Sequence, residues 1–342
     1  MDYLFVPKQA YFEERALHYP LGRELFNHLE ALGVSINFTG SHNRITGITG
    51  KSPAAAYRLA KDTLVVGVRR SKDFATCKPS AHYQLPLSTS CPSMCEYCYL
   101  GTTLGKKPYL RIYVNIEEIL AKAEEYIKTR IPEITVFEGA ATSDPLPTEH
   151  LTGLLKTTVE FFGRQPYGRF RFVTKHTHVE PLLDARHNGH TRFRFSLNAA
   201  SVIRDYEHRT PSLAERIAAA KKTALAGYPL GFIIAPIFYF SGWETEYDKM
   251  LAALTKELPE ETKQTLSFEL ITHRYTKKAK TNIKTIFPAT TLPMEEAERQ
   301  FKYGQFGYGK YIYPPEVRRE LKAHMQEKIS RYFPSAQIVY FV

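Results

Sequence analysis

Ser90-Cys91-Pro92-Ser93-Met94-Cys95-Glu96-Tyr97-Cys98-Tyr99 is the stretch from which the rest can be read. Three of only four cysteines in 342 residues fall inside it, spaced C-x3-C-x2-C; the fourth is Cys77. A disulfide framework is a poor reading in so long a chain with so few cysteines. Three thiolates at this spacing suit a metal. Structural zinc wants four closed ligands, and His82 is the nearest candidate to complete them. A cubane iron–sulfur cluster usually takes four cysteines, so three leave one iron open to a small chelating molecule. Three unligated thiols are the bland alternative.

Working outward, the chain after residue 83 alternates short apolar runs with amphipathic stretches. Candidate strands are 83–89, 134–138, 170–174, 193–198, 229–235 and 265–271, all rich in β-branched and aromatic residues. Between them, 116–129 repeats Ile116, Ile119, Leu120, Ala123 and Ile127 at helical spacing, with Asn115 and Glu118 set as a capping box. Further helices are expected after Pro147 and over 179–186, 211–226 and 243–256. Six β–α units imply a parallel sheet with right-handed crossovers. Curled, it is a partial (β/α)6 barrel, an α/β fold with its chemistry on loops at the strand C-termini. The cysteines follow the first of those strands.

The flanks read differently. Residues 1–82 form an N-terminal appendage packed on the barrel, with one strand at 63–69 and a polar stretch at 39–51. The barrel spans 83–271, and 272–342 is a basic α+β extension. Its 13 Lys and Arg stand against 6 Asp and Glu, most of the whole-chain excess of 46 over 35. That surplus, with 22 Tyr and 21 Phe, favours a polyanionic partner such as nucleic acid. A helix at 315–332 and a strand at 338–341 close the chain. With 43% hydrophobic residues the chain can bury a core. No apolar run reaches the roughly 18 residues that span a bilayer. No secretory signal is visible at Met1-Asp2-Tyr3-Leu4-Phe5, so a cytoplasmic protein without a membrane partner is expected.

The cysteine spacing, with an aromatic before the last cysteine, resembles the signature of the radical S-adenosylmethionine (SAM) enzymes. Within that superfamily the chain is similar to the spore photoproduct lyases along nearly its full length. The matching segments include Lys78-Pro79-Ser80-Ala81, Arg171-Phe172-Val173-Thr174-Lys175, Arg192-Phe193-Arg194-Phe195-Ser196, Gly227-Tyr228-Pro229-Leu230-Gly231-Phe232 and Gly309-Lys310-Tyr311-Ile312-Tyr313.

The resemblance implies a lyase that repairs 5-thyminyl-5,6-dihydrothymine in double-stranded DNA. Its cofactors are a 4Fe-4S cluster on Cys91, Cys95 and Cys98, and SAM, with flavodoxin or ferredoxin as electron donor. Reductive SAM cleavage yields a deoxyadenosyl radical, which takes hydrogen from C6 of the dihydrothymine. The methylene bridge then breaks, and a cysteine thiol returns one hydrogen atom. A radical SAM enzyme acting on another nucleic acid or a peptide is the alternative. A zinc-containing nucleic-acid-binding module without catalysis is a second.

The resemblance also assigns residues. Tyr97 lies where the family has an aromatic near the adenine, and Tyr99 in the radical-return path. SAM contacts carry over to Ser143, Lys175, Ser196, Asn198 and Ala235. The DNA-engaging hairpin maps to 303–313, with Lys310 for phosphate, Tyr311 as a ring, and Gln305-Phe306 where the family commonly has Arg-Tyr. The donor cysteine's position, before Thr142-Ser143-Asp144, holds Ala141, which has no hydrogen to give. Either a cysteine has been changed to alanine or another group donates. Cys77 stands where the family more often has serine, so it is the candidate relocated donor; the alternative is a small packed cysteine.

Overall fold

The computed structural model describes residues 4–71, 73–303 and 309–342. In chain order the strands begin with β1 (Gln9–Glu13), β2 (Ser35–Thr39), β3 (Thr63–Gly67), β4 (Thr76–Cys77), β5 (Ala81–Gln84) and β6 (Ser88–Thr89). They continue with β7 (Met94–Cys95), β8 (Leu110–Tyr113), β9 (Thr135–Glu138), β10 (Gly168–Thr174), β11 (Thr191–Leu197) and β12 (Glu207–His208). The last are β13 (Leu230–Ile237), β14 (Ser267–Thr272), β15 (Gln300–Tyr303), β16 (Gly309–Ile312) and β17 (Gln337–Phe341). The fold is mixed α/β, and the chain forms two compact units. One is Met1–Pro92 with Leu104–Arg192; the other is Ser93–Thr103 with Phe193–Val342.

In the first unit, β2-β1-β3-β8 are parallel neighbours, with β6 antiparallel on the edge of β8. Helices Pro20–Ala31 and Pro53–Lys61 make the crossovers, each opened by a proline whose missing N–H costs nothing there. Every residue of β3 is buried, as a strand covered on both faces requires. The sequence reading finds only β3 in this region. The structure makes it a complete βαβαβ unit, which also takes β8 from beyond the cysteines. The same unit holds β10-β9-β5 in parallel, with β4 antiparallel on β5. Alternate residues of β10 are buried, so Phe170 and Phe172 pack inward while Arg171 stands on the other face.

In the second unit β11-β13-β14-β17 are all parallel. A Cβ at Gly231 would come 3.1 Å from Arg194 Cγ and 2.7 Å from Ser267 Oγ. Its absence makes room for Arg194, whose guanidinium meets Glu269 at 3.0 Å with both side chains almost fully buried. Helices Leu213–Leu225, Trp243–Glu257 and Pro315–Tyr332 fall where the periodicity places them. The β–α succession in each unit is consistent with a curled parallel sheet.

Four expectations are corrected. The run 83–89 is not one strand: Pro86 cannot donate to a ladder, and β5 and β6 separate around it into different sheets. The helix expected at 179–186 is one 3-10 turn, Glu180–Leu182. Asn115 precedes helix Ile116–Lys128 without capping it; its side chain bonds the Arg69 backbone and Glu118 instead. The helix after Pro147 is broken by Gly153, whose φ of 60° places it in the left-handed region. Among the described residues no helix is long and apolar enough to cross a membrane.

Candidate active site

The second unit holds the end of the cysteine loop. The two-residue strand β7 pairs antiparallel with β12, setting Cys95 opposite Glu207 and Met94 opposite His208. So short a ladder needs side-chain anchors, and the residues after Cys95 supply them. Glu96 accepts from His208 Nε2 at 2.7 Å and from the Thr290 hydroxyl. The Tyr97 hydroxyl donates to Glu207 Oε1. The other Glu207 oxygen meets Arg216 at 2.6 Å, and both of those side chains are fully buried. Arg216 donates further to the Ser196 carbonyl at 3.0 Å and to Thr210 Oγ1 at 2.8 Å. Burial, with the Glu207 charge beside it, holds the Tyr97 phenol well above its usual pKa, so it remains a donor. The Cys98 N–H donates to the Cys95 carbonyl at 3.2 Å, which makes the two cysteines the ends of one turn. Cys95 is buried and Cys98 half-buried. Tyr99, two residues after the half-buried Tyr97, is 58% exposed.

Ser196 and Asn198 close β11, and Ala235 lies near the end of the adjacent β13. Asn198 is wholly buried. Its amide donates to the Pro236 carbonyl at 2.8 Å, and its oxygen accepts from the Tyr247 hydroxyl at 3.0 Å. It braces the two strand ends against each other.

The first unit holds the loop's beginning. Ser90, just before Cys91, forms a parallel bridge with Ser143. The next residue, Asp144, accepts from Thr174 Oγ1 at 3.0 Å and from the Lys175 N–H at 2.9 Å. The approach to Cys91 is thereby joined to Ser143 and Lys175, two of the residues expected to contact SAM.

Desolvation pushes the Asp144 carboxyl up to about 6, against the pull of those hydrogen bonds. Its folded pKa lies above its unfolded one, so the folded state holds the proton more tightly. Stability from this group is greatest below about pH 4 and is lost as pH rises to about 6, by roughly 3 kcal/mol at most. Asp144→Asn is expected to abolish this part of the slope in denaturation curves taken across that window.

The sequence offers no signal for Lys61. It is completely buried, yet its Nζ bonds only neutral oxygens: Ser90 Oγ at 3.2 Å and the Cys91 carbonyl at 3.0 Å. Among the described residues no carboxylate pairs with it. A buried ammonium without a counter-charge is costly unless an anion completes its surroundings. A cluster held by thiolates is such an anion, and it would lie at the residue Lys61 grips. The donor set, three thiolates, suits such a cluster. His82, the candidate fourth zinc ligand, has its Nδ1 occupied by the Val136 N–H at 3.0 Å. The residues therefore fit the cluster. Lys61→Met is expected to lower iron content after anaerobic reconstitution and to shift the cluster midpoint to more negative potential. Lys61→Arg, which keeps the charge, should recover much of both in iron assay and redox titration.

Cys77 ends β4, and its carbonyl accepts from the Ser80 N–H at 2.9 Å. Ser80 Oγ bonds Glu138 at 3.3 Å, and Arg171 bonds both Ser80 and Glu138, at 2.6 and 3.2 Å. Glu138 also accepts from the Ala140 N–H at 3.1 Å. The turn bearing Cys77 is thus tied to the strand end that leads into Ala141, and the Cys77 side chain is half-buried.

In the C-terminal hairpin of β15 and β16, Lys302 lies opposite Lys310. Burial, with Arg274 nearby, pulls the Lys310 ammonium below its usual pKa. Tyr311 is packed, its ring stacked on Tyr275 at 5.3 Å. The exposed rings are Phe301 at 45% and Tyr303 at 76%. Gln305 and Phe306 lie outside the described residues.

The spore photoproduct lyase family profile matches residues 5–342. The chain is 51% identical to the spore photoproduct lyase of a Geobacillus species, over 98% of this chain and 99% of that protein. It is 49% identical to that of Bacillus subtilis, over 98% of each. A solved spore photoproduct lyase with bound AdoMet and dinucleoside spore photoproduct superposes with a TM-score of 0.97 at 51% identity, over 99% of this chain and all of that one. That relative is a double mutant, one cysteine changed to alanine and one serine to cysteine. Another, complexed with dinucleoside spore photoproduct, also gives a TM-score of 0.97, at 50% identity over 99% of this chain and all of that one. With half its residues shared along almost its whole length, the chain belongs to the spore photoproduct lyase family.

Proposed function

We propose that this protein converts 5-thyminyl-5,6-dihydrothymine in double-stranded DNA to two thymines, with Cys77 as the hydrogen-atom donor. The observation that carries the reading is the tether from the Cys77 turn through Ser80, Glu138 and Arg171 to the strand before Ala141. The same pair of exchanges, alanine for cysteine and cysteine for serine, describes the relative solved with AdoMet and lesion.

Cys91, Cys95 and Cys98 would hold the 4Fe-4S cluster, whose one-electron reduction of SAM supplies the starting radical chemistry, with flavodoxin or ferredoxin as electron source. Lys61 and the Tyr97–Glu207–Arg216 network would hold the two ends of the cysteine loop in place. Ser143, Lys175, Ser196, Asn198 and Ala235 would bind and orient SAM at the strand ends; the Lys175 ammonium suits its carboxylate. Cys77 Sγ–H would give its hydrogen to the allylic carbon left when the methylene bridge opens, and Tyr99 would return the radical.

The basic region 272–342 would engage DNA through the hairpin. Lys302 opposite Lys310, with Arg274 nearby, gathers positive charge suited to a phosphate. Phe301 and Tyr303 offer the exposed rings, and extruding the lesion from the stack costs about a few kcal/mol, less where the DNA is already distorted. A cytoplasmic setting follows from this substrate. The test is incubation of reconstituted protein with SAM, reductant and lesion oligonucleotide. Restored thymines are expected. SAM cleavage without them would favour a radical SAM enzyme acting on another substrate.

A further inference from the structure

The open sheet of the first unit runs β2-β1-β3-β8, all parallel, so its order reverses between β1 and β3. At such a reversal the loops leaving the two strands diverge to opposite faces. They leave a crevice at the C-terminal edge, where ligands of open α/β sheets bind. Here Glu13 ends β1, His42 and Asn43 follow β2, and Arg69 and Arg70 follow β3. His42, Asn43, Arg69 and Arg70 line a cavity of about 270 Å³, together with Tyr113 at the end of β8.

The lining is cationic. Arg69 rests on the Tyr113 ring and gives one N–H to the Asp73 carbonyl at 3.1 Å. Its Nε is buried and has no hydrogen-bond partner among the described residues. Arg70 is 54% exposed and touches Glu13 at 3.3 Å. Glu13 offers an incoming cation little. It already accepts from the Val68 N–H at 3.0 Å and the His42 N–H at 3.1 Å, and lies 3.0 Å from the His42 ring. Burial alone would raise its pKa, but those bonds outweigh burial and keep it ionised. Burial lowers the His42 pKa, so the ring adds no charge at neutral pH. Two guanidinium groups line the cavity, whereas the Glu13 carboxylate, met by Arg70, lies outside the lining, so the lining carries surplus positive charge. We infer that this cavity binds a phosphate group, free or as a phosphodiester of nucleic acid. Arginine forks match tetrahedral oxyanions, and the volume suits one such group rather than a whole dinucleotide cofactor.

Calorimetric titration of the reconstituted full-length protein with inorganic phosphate is expected to show one site per chain. Arg70→Gln and Asn43→Asp, both at exposed positions, should each weaken binding about tenfold or more with unchanged unfolding midpoints. No saturable binding by the wild type, or wild-type affinity in both variants, overturns the inference. Titration with an undamaged DNA duplex then distinguishes the source. A matching loss of duplex affinity identifies the backbone phosphodiester, and unchanged duplex affinity identifies free phosphate; the site stands in either case.

Discussion

Cys77→Ser is expected to leave SAM cleavage intact while clean thymine formation falls about a hundredfold, equivalent to about 2.7 kcal/mol in barrier. In its place, products quenched by other reductants should accumulate. Serine keeps the shape of the site and removes only the weak S–H bond; an O–H bond is too strong to give its hydrogen to an allylic carbon. Adding Ala141→Cys to this variant should restore clean repair. The donor then stands at the other end of the Ser80–Glu138–Arg171 tether. Product analysis by chromatography, with deuterium tracing of the returned hydrogen, reads both variants. Undiminished clean repair by Cys77→Ser would remove Cys77 from the chemistry.

Arg216→Met is expected to cost about 3–5 kcal/mol of stability, because it strands the Glu207 carboxylate in a fully buried site. The Ser196 carbonyl and Thr210 hydroxyl lose their donor as well. Iron content after reconstitution should fall too, since Cys95 lies opposite Glu207 and Tyr97 hangs from it. Combining Arg216→Met with Glu207→Gln should recover part of the loss by removing the unpaired charge. Chemical denaturation with parallel iron assay measures both. If the single variant is as stable as the wild type, the network does not hold the loop.

The helices Ile116–Lys128 and Pro315–Tyr332 are legible in the chain because burial of one face imprints a local period, and the strands of the second unit because burial on both faces leaves short continuous apolar runs. Strand β1, whose Tyr11 is only half-buried, and β2, which has no buried residue, carry no such imprint. The βαβαβ unit and its reversal point were invisible for that reason. Tyr311, a ring expected at the DNA, is packed on Tyr275, while Phe301 and Tyr303 of the same hairpin are exposed, a difference that the residue types alone do not reveal.

By itself the sequence determined the three thiolates, the β–α succession around them and the alanine at position 141, all matters of residue identity or of neighbours within a few positions. Only the tertiary structure decided that Lys61 grips Cys91 from 30 residues away and that Glu207 holds Tyr97 across 110. Such partners are chosen by whichever side chains a buried charge or hydroxyl meets after the chain has folded back. Desolvation makes these contacts obligatory, but it leaves no spacing in the chain by which to foresee them.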